Sequence, residues 1–262
     1  MIPKIIHYVW LGHSKIPRKL QKCIYTWEKQ MPDYRLICWN ENNLPLSEMP
    51  FVIHCLKNNE YAFAADYIRL WALYNYGGIY MDTDVKTKKS FDIFLKHSFF
   101  TSIEYDELWF NKTGKFQVDV EGNLLQKELI VAGLGLHSAV IGSIKHHPIL
   151  SDCLNIYQDA QYQIFDETVA INGQMARILY NYGFKYTDKF QLLNGDIAIF
   201  KSDVFSNIDT YTNNSYSLHI ADGSWKHLSI SQRISRIAYL ILPETLYIKL
   251  WKVIRKLFSS YI

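Results

Sequence analysis

The stretch from Phe63 to Val85, FAADYIRLWALYNYGGIYMDTDV, restricts the fold of this chain more than any other. Its first part is apolar on nearly every side, so a helix over Tyr61 to Tyr76 must be buried on several faces. Asp66 and Arg69 nevertheless stand inside it at i and i+3, on one face. An internal ion pair stabilises little there, because desolvation offsets the attraction unless further polar partners exist. A ligand-lined cleft would supply such partners. Gly77 and Gly78 end the helix, GIYM reads as a buried strand, and Asp82 and Asp84 fall at that strand's carboxyl end. Open α/β sheets bind ligands at this edge. If the strand continues, both aspartates face one side. Two hard oxygen donors with an open side suit Mg²⁺ or Mn²⁺ that is also held by a substrate's phosphates.

The surrounding pattern alternates strand and helix. Ile5 to Leu11 reads as a strand, Pro17 opens a helix running to Gln30, and Arg35 to Trp39 is a second short strand. A helix near Phe51 to Lys57 precedes the segment described above. This spacing predicts an α/β fold with a mostly parallel sheet flanked by helices. Residues 129–144, LIVAGLGLHSAVIGSI, read as strand, glycine loop, and then either strand or buried helix. Helices follow from His147 and from Asn172, the latter closed by Gly183. We expect one catalytic domain over residues 1–228 and a basic amphipathic helical tail over 229–262.

Charge and cysteine usage exclude several classes. The net charge of the 262 residues is only +3, which gives no nucleic-acid signal. It is unevenly spread. From Lys226 onward seven Lys or Arg face one acid, Glu244, a net +6 that leaves −3 for the first 225 residues. Cys23, Cys38, Cys55 and Cys153 are widely spaced, suggesting neither zinc nor a disulfide framework. The N-terminus enters a strand-like run directly, and no run of about 18 apolar residues exists. A cytoplasmic protein is expected on these grounds. In the tail, Leu246, Leu250, Ile254, Leu257 and Phe258 recur at helical spacing beside Trp251, with Lys249, Lys252, Lys256 and Arg255 on another face. Residues 245–262 therefore either lie on an anionic membrane surface, at the inner face of the plasma membrane, or pack on the domain.

The segments IPKIIHYVWLG, KCIYTWEKQMPDYRLICWNENN, YAFAADYIRLWALYNYGGIYMDTDV, HHPIL, INGQ and YSLHIADGSW span Ile2 to Trp225. In this order they resemble glycosyltransferase family 32, in particular its bacterial capsular-polysaccharide branch with the DXD sugar-binding region. The large clostridial glucosylating toxins are more distantly similar. The resemblance implies a GT-A-type nucleotide-diphospho-sugar transferase fold. It implies a metal-dependent, retaining hexosyltransferase using Mn²⁺ or Mg²⁺. The donor would be a nucleotide-diphosphate sugar, favoured as UDP-linked hexose. The acceptor would be a glycan or lipid-linked oligosaccharide in bacterial surface polysaccharide synthesis.

Residue by residue, the resemblance implies that Trp10 stacks the donor's base and that Asp66 and Arg69 hold the donor sugar. Asp82 would bind ribose or sugar hydroxyls and approach the metal, and Asp84 would ligate it directly. His219, Ser224 and Trp225 would belong to a loop closing over the diphosphate, with His219 completing the metal shell. Asn172 would approach the sugar. Ala65 and Gln174 stand where relatives often carry serine and proline, which bears on the choice of donor sugar. Acceptor contacts are expected from Phe99 to Glu128, with Glu104 as the candidate.

Each assignment has a plainer competitor. The D-x-D fits a solvated turn, Trp10 fits ordinary core, and His219 fits a loop histidine. His7, on a buried strand, reads as structural, and His146-His147 before Pro148 reads as the start of a helix. IYMDTDVKT also matches the strand end of haloacid-dehalogenase-like phosphatases, but that motif normally opens a chain. An inactive sugar-nucleotide-binding scaffold would be expected to have lost its metal ligands, and both aspartates are present.

Overall fold

The computed structural model describes residues 1–126, 129–159, 171–221, 242 and 244–258, with only the backbone at 158, 159, 244, 245 and 254–258. In chain order the first elements are β1 (Ile5–Val9), α1 (Arg18–Gln30), β2 (Arg35–Trp39), α2 (Pro50–Lys57), α3 (Tyr61–Tyr76), β3 (Gly78–Met81), β4 (Val85–Thr87) and β5 (Phe99–Tyr105). Then come α4 (Glu107–Lys112), β6 (Leu134–Leu136), β7 (Val140–Ser143), α5 (Pro148–Asp159) and α6 (Ile171–Tyr180). The last are β8 (Gln191–Leu193), β9 (Ile197–Phe200), β10 (Phe205–Asn207), β11 (Ser217–His219) and α7 (Glu244–Phe258).

The main sheet runs β2-β1-β3-β7-β5-β9-β8, with β6 added to β5. Its first three strands are parallel, as the strand–helix alternation requires. The expectation of a mostly parallel sheet fails beyond β3. β7 is antiparallel to both β3 and β5, β8 is antiparallel to β9, β6 is antiparallel to β5, and only β5 and β9 add a further parallel pair. The link between β8 and β9 is too short for the long crossover that a parallel pair needs, and β6 and β7 run in one direction, both antiparallel to β5. Residues 129–144, open between strand and helix at their second half, form two strands.

Alternation along the strands assigns the two faces of the sheet. Val9, Tyr80, Ile141, Phe99, Ile103, Ile197 and Ile199 join one core with Ala64, Ile68 and Leu73 of α3, Val52 of α2, Leu150 of α5 and Met175 of α6. Ile6, Ile79, Met81, Val140, Phe100 and Ala198 join the opposite core with Trp27 of α1 and Phe205 of β10. Each fully buried large side chain contributes about 2 kcal/mol of transfer free energy. A helix with α3's apolar perimeter suits its position, packed between the sheet, α2 and α5.

The bend from α3 into β3 depends on glycine. Gly77 and Gly78 have φ of +65° and +112°, and a Cβ on Gly78 would stand 2.7 Å from the Ile5 carbonyl oxygen. His7 anchors the bend. Trp39 donates its indole N–H to His7 Nδ1 (3.1 Å), so the other ring nitrogen carries the proton and donates to Gly77 O at 2.8 Å. Burial lowers the His7 pKa to about 4, consistent with a neutral structural ring.

A second sheet, β10-β11-β4, stands beside the first. β4 is antiparallel to β11, and Trp27 reaches across from α1 to donate to Val85 O at 2.6 Å. α7 packs on this side, placing Tyr247 and Ile248 with Cys23, Ile208, Leu218 and Ile220. The face it buries differs from the one expected. Tyr247, Ile248 and Trp251 meet the body, and Leu246 and Leu250 point away, because the aromatic positions supply more apolar area to a shallow seat. The expected boundary at 228/229 lies outside the described residues. The four cysteines form no disulfide, and His147 and Pro148 lie at the start of α5 as expected.

Candidate functional site

Asp82 and Asp84 do not lie on a continuing strand. Asp82 follows β3, Val85 N–H donates to Asp82 O at 3.0 Å, and the chain turns into β4 of the second sheet. The two aspartates converge because this turn links two sheets. Asp82 is held by its N–H donating to Ala139 O at 3.0 Å, and Asp84 by its carbonyl accepting from Ile220 N–H at 3.2 Å. The second contact brings β11 alongside. His219 Nε2 then lies 3.2 Å from Asp84 Oδ1. One ligand atom from each of Asp82, Asp84 and His219 lies within 4.8 Å of the others. These three are the one such group of potential metal ligands among the described residues.

Arg69 borders this group from below. It is 5% exposed, and its side chain reaches outward from α3 to the turn. Nη2 lies 2.8 Å from Asp66 Oδ1 and 3.5 Å from Asp82 Oδ1, and Nη1 donates to Ser138 O at 2.7 Å. Tyr80 lies beneath the guanidinium, 4.7 Å from ring centroid to Cζ, and donates its hydroxyl to Asp82 Oδ1 at 2.8 Å. The further polar partners that a buried pair requires are therefore present. Burial works against the Arg69 cation, but Asp82, Tyr80 and Asp66 outweigh it and raise its pKa. Burial pushes Asp66 up to about 6 despite the lowering by Arg69.

The acidic neighbours of His219 favour its protonated ring. Burial acts against its charge, but Asp84, with Asp82 and Glu104, raises its pKa to about 9. His137, 2% exposed, sets its ring edge-on to His219 with centroids 5.3 Å apart. Burial, then the charge on His219, lowers His137 to about 3, so it stays neutral. Neither His137 ring nitrogen has a hydrogen-bond partner among the described residues.

Glu104 closes the site on the β5 side. Asn172, in the first turn of α6, donates its side-chain N–H to Glu104 Oε2. Gly135 pairs with Glu104 across β5 and β6. A Cβ on Gly135 would lie 3.2 Å from the Asn172 carbonyl oxygen, so glycine there lets α6 come close enough for the bond. Burial raises the Glu104 pKa, while His219 and Asn172 oppose the rise.

Asp66, Arg69, Asp82, Asp84 and His219 thus form one contiguous constellation, with Asn172 joined through Glu104. Glu104, the candidate for acceptor contacts, is bonded to Asn172, the residue expected at the donor sugar. Trp10 directly follows β1, and its indole N–H donates to Ser14 O at 2.6 Å. β1 and β3 are parallel, so Trp10 and the aspartates follow their strands at the same sheet edge. Ser224 and Trp225 lie outside the described residues. Sequence reasoning missed Tyr80, Ser138, His137 and Gly135. Tyr80 was within reach, since it shares a strand face with Asp82 at i+2. The other three are brought in by non-local pairing.

Residues 17–101 match the family described as "Glycosyltransferase sugar-binding region containing DXD motif", a span that holds Asp66, Arg69, Asp82 and Asp84. The chain is 32% identical over 129 residues to inositol phosphoceramide mannosyltransferase 1 of Schizosaccharomyces pombe, covering 44% of this chain and 39% of that protein. It is 25% identical over 253 residues to mannosyl phosphorylinositol ceramide synthase SUR1 of Saccharomyces cerevisiae, covering 92% and 56%. It therefore spans about half or less of the length of these relatives. Among solved structures, the PaToxG glycosyltransferase superposes with a TM-score of 0.52 at 18% identity, over 69% of each chain. The segment that holds Asp66, Arg69, Asp82 and Asp84 thus matches a sugar-binding region with a DXD motif, and the fold around it is of the GT-A type.

Proposed function

We propose that the chain is a metal-dependent glycosyltransferase that moves a hexose, with retention at the anomeric carbon, from a nucleoside diphosphate sugar to a glycan or lipid-linked acceptor. The observation that carries this reading is the convergence of Asp82, Asp84 and His219 beside the buried fork of Arg69. Two carboxylates and an imidazole fit a divalent ion, and the imidazole favours Mn²⁺ over Mg²⁺. Asp84 and His219 would hold the ion, with Asp82 adjoining. When bound, the ion neutralises the charge that develops on the leaving diphosphate.

The chain's own residues supply the rest. Arg69 is fixed by Asp66 and the Ser138 carbonyl, so it offers positive charge at the site without rearranging. Asp66 and the Glu104–Asn172 pair present oxygen and amide groups that read sugar hydroxyls. A site built to bond a hydroxyl rejects the analogue that cannot make the bond, so this pair is the natural determinant of donor sugar identity. Trp10, which directly follows β1, would stack the base, and uridine is the favoured one. Ser224 and Trp225 are retained as closing residues by resemblance.

The relatives' names carry mannose and an inositol phosphoceramide, so a hexose donor and a lipid-borne acceptor accord with them. A cytoplasmic site of action in surface polysaccharide synthesis is part of the same proposal. The test is release of nucleoside diphosphate from a panel of UDP- and GDP-hexoses, with Mn²⁺ or with chelator. Metal-dependent hydrolysis of one or a few donors is expected. Tight donor binding with no turnover, by hydrolysis or onto added glycans, would convert the reading to a scaffold. No binding at all would sink it.

A further inference from the structure

α7 meets the body through one face. Tyr247 and Ile248 are each 6% exposed. The Trp251 indole N–H donates to Asp209 Oδ1 at 3.2 Å, and Lys252 Nζ donates to Tyr211 O at 3.0 Å. These contacts fix the rotation of the helix. Leu246, Leu250 and Val253, at i, i+4 and i+7, then form a stripe on the far side, 50%, 42% and 56% exposed. Isolated exposed leucines are ordinary, but an aliphatic stripe left open on a helix that has already buried its aromatic face is a candidate docking surface.

Charge identifies the partner. Lys249, exposed, flanks the stripe. By sequence, α7 carries Lys249, Lys252, Arg255 and Lys256 against Glu244 alone. The segment from Lys226 is +6, and the preceding 225 residues are −3. A second copy of this helix would bring like charge onto like charge. An anionic surface attracts the helix and repels the body, which orients the molecule. No helix among the described residues is long and apolar enough to cross a membrane, so the contact is with a surface.

We propose that the outward face of α7 docks on an anionic lipid bilayer, its Leu246–Leu250–Val253 stripe entering the headgroup boundary and its basic flank lying over lipid phosphates. The inner face of the same helix joins a buried cluster that includes Leu218 and Ile220, the neighbours of His219 on and after β11. Docking therefore keeps the cleft close to the lipid surface. That an acceptor waits there rests on the transferase reading, whereas the docking does not.

The test is co-sedimentation of the full chain with phosphatidylcholine vesicles, with and without one-third phosphatidylglycerol, at low and physiological salt. Binding is expected on the anionic vesicles only, and it weakens with salt. Lys249→Ala should weaken it about fivefold. The double variant Leu246→Asp, Leu250→Asp should abolish it, with the melting temperature and any nucleotide-sugar hydrolysis unchanged. Equal binding to neutral vesicles, no binding, or a double variant that binds like the parent would each overturn the proposal. So would a parent dimer that the double variant converts to monomer, since the stripe would then be a self-association surface. Loss of hydrolysis in the parent with vesicle binding intact would instead remove the transferase reading alone.

Discussion

With His219 as the proposed metal ligand, metal binding and proton binding should compete there, and the size of the effect follows from its surroundings. With Asp84 at 3.2 Å and Asp82 and Glu104 near, its pKa in the metal-free protein is about 9. A metal ligand must be neutral imidazole, so each ion bound displaces one proton wherever the ring is protonated. At pH 7, about two units below the pKa, the apparent affinity should be about 100-fold below its limit and should change about tenfold per pH unit. Calorimetry with Mn²⁺ in two buffers of different ionisation enthalpy should count about one proton released per ion at pH 7. The same group sets a stability signature without metal. Its folded pKa lies above the unfolded value of about 6.5, so its contribution is complete below pH 6.5 and is lost as pH rises through 9. The total is about 3 kcal/mol. In chelator, the melting temperature should therefore fall across that window, and His219→Gln should remove both effects. Metal affinity that is flat from pH 6.5 to 8.5, with no proton released, would show that His219 is not a ligand.

Three further outcomes are expected. Asp84→Ala should lower turnover about 1000-fold, a loss of about 4 kcal/mol, while the circular dichroism spectrum stays native, because a metal ligand goes but no core volume does. Arg69→Lys keeps the charge but cannot bond Asp66, Asp82 and Ser138 together; turnover should fall sharply and stability by about 1–3 kcal/mol in a denaturant titration. Gly135→Ala should push Asn172 away from Glu104 and raise the donor KM or change the preferred sugar, with Mn²⁺ affinity unchanged within twofold; an unaltered donor profile would remove this pair from sugar recognition.

The first hundred residues were legible because local chemistry decided them. A helix apolar on all sides, a glycine pair and strand GIYM leave few alternatives, and the structure places them in the parallel half of the sheet. The site residues from that stretch, Asp66, Arg69, Asp82 and Asp84, were readable for the same reason. The second half was less so. β6 and β8 to β11 are three or four residues long, too short to show a period, and their order depends on non-local pairings such as β9 with β5 and β11 with β4. Ser138 reaches Arg69 and Gly135 admits Asn172 through such pairings, so no local pattern announces them. The tail helix was legible as amphipathic, but its inner face was not. The aliphatic spacing pointed to Leu246 and Leu250, and the buried cluster with Leu218 and Ile220 took Tyr247 and Ile248 instead.

The charge balance of the site orders its binding events. Asp66, Asp82, Asp84 and Glu104 bring four formal negative charges to one guanidinium and one imidazole. With His219 protonated the cluster is formally −2, and with it neutral, −3. The carboxylates raise His219 to about 9, while burial, with Asp82 adding to it, raises Asp66 to about 6 and raises Glu104 as well. A donor diphosphate adds further negative charge to the same place. At about 4 Å in a partly shielded site, each unit pair of like charge costs about 4 kcal/mol, of which Arg69 offsets a part. A divalent ion displaces the His219 proton and adds two positive charges, one more than it removes. The donor should therefore bind only with or after the ion. Fluorescence titration of UDP in chelator and in Mn²⁺ measures this directly, and at least a 100-fold difference in affinity is expected. His219→Gln should narrow the difference by weakening the ion. Equal UDP affinity in the two conditions would mean that the diphosphate is held away from the aspartates, by groups other than this cluster.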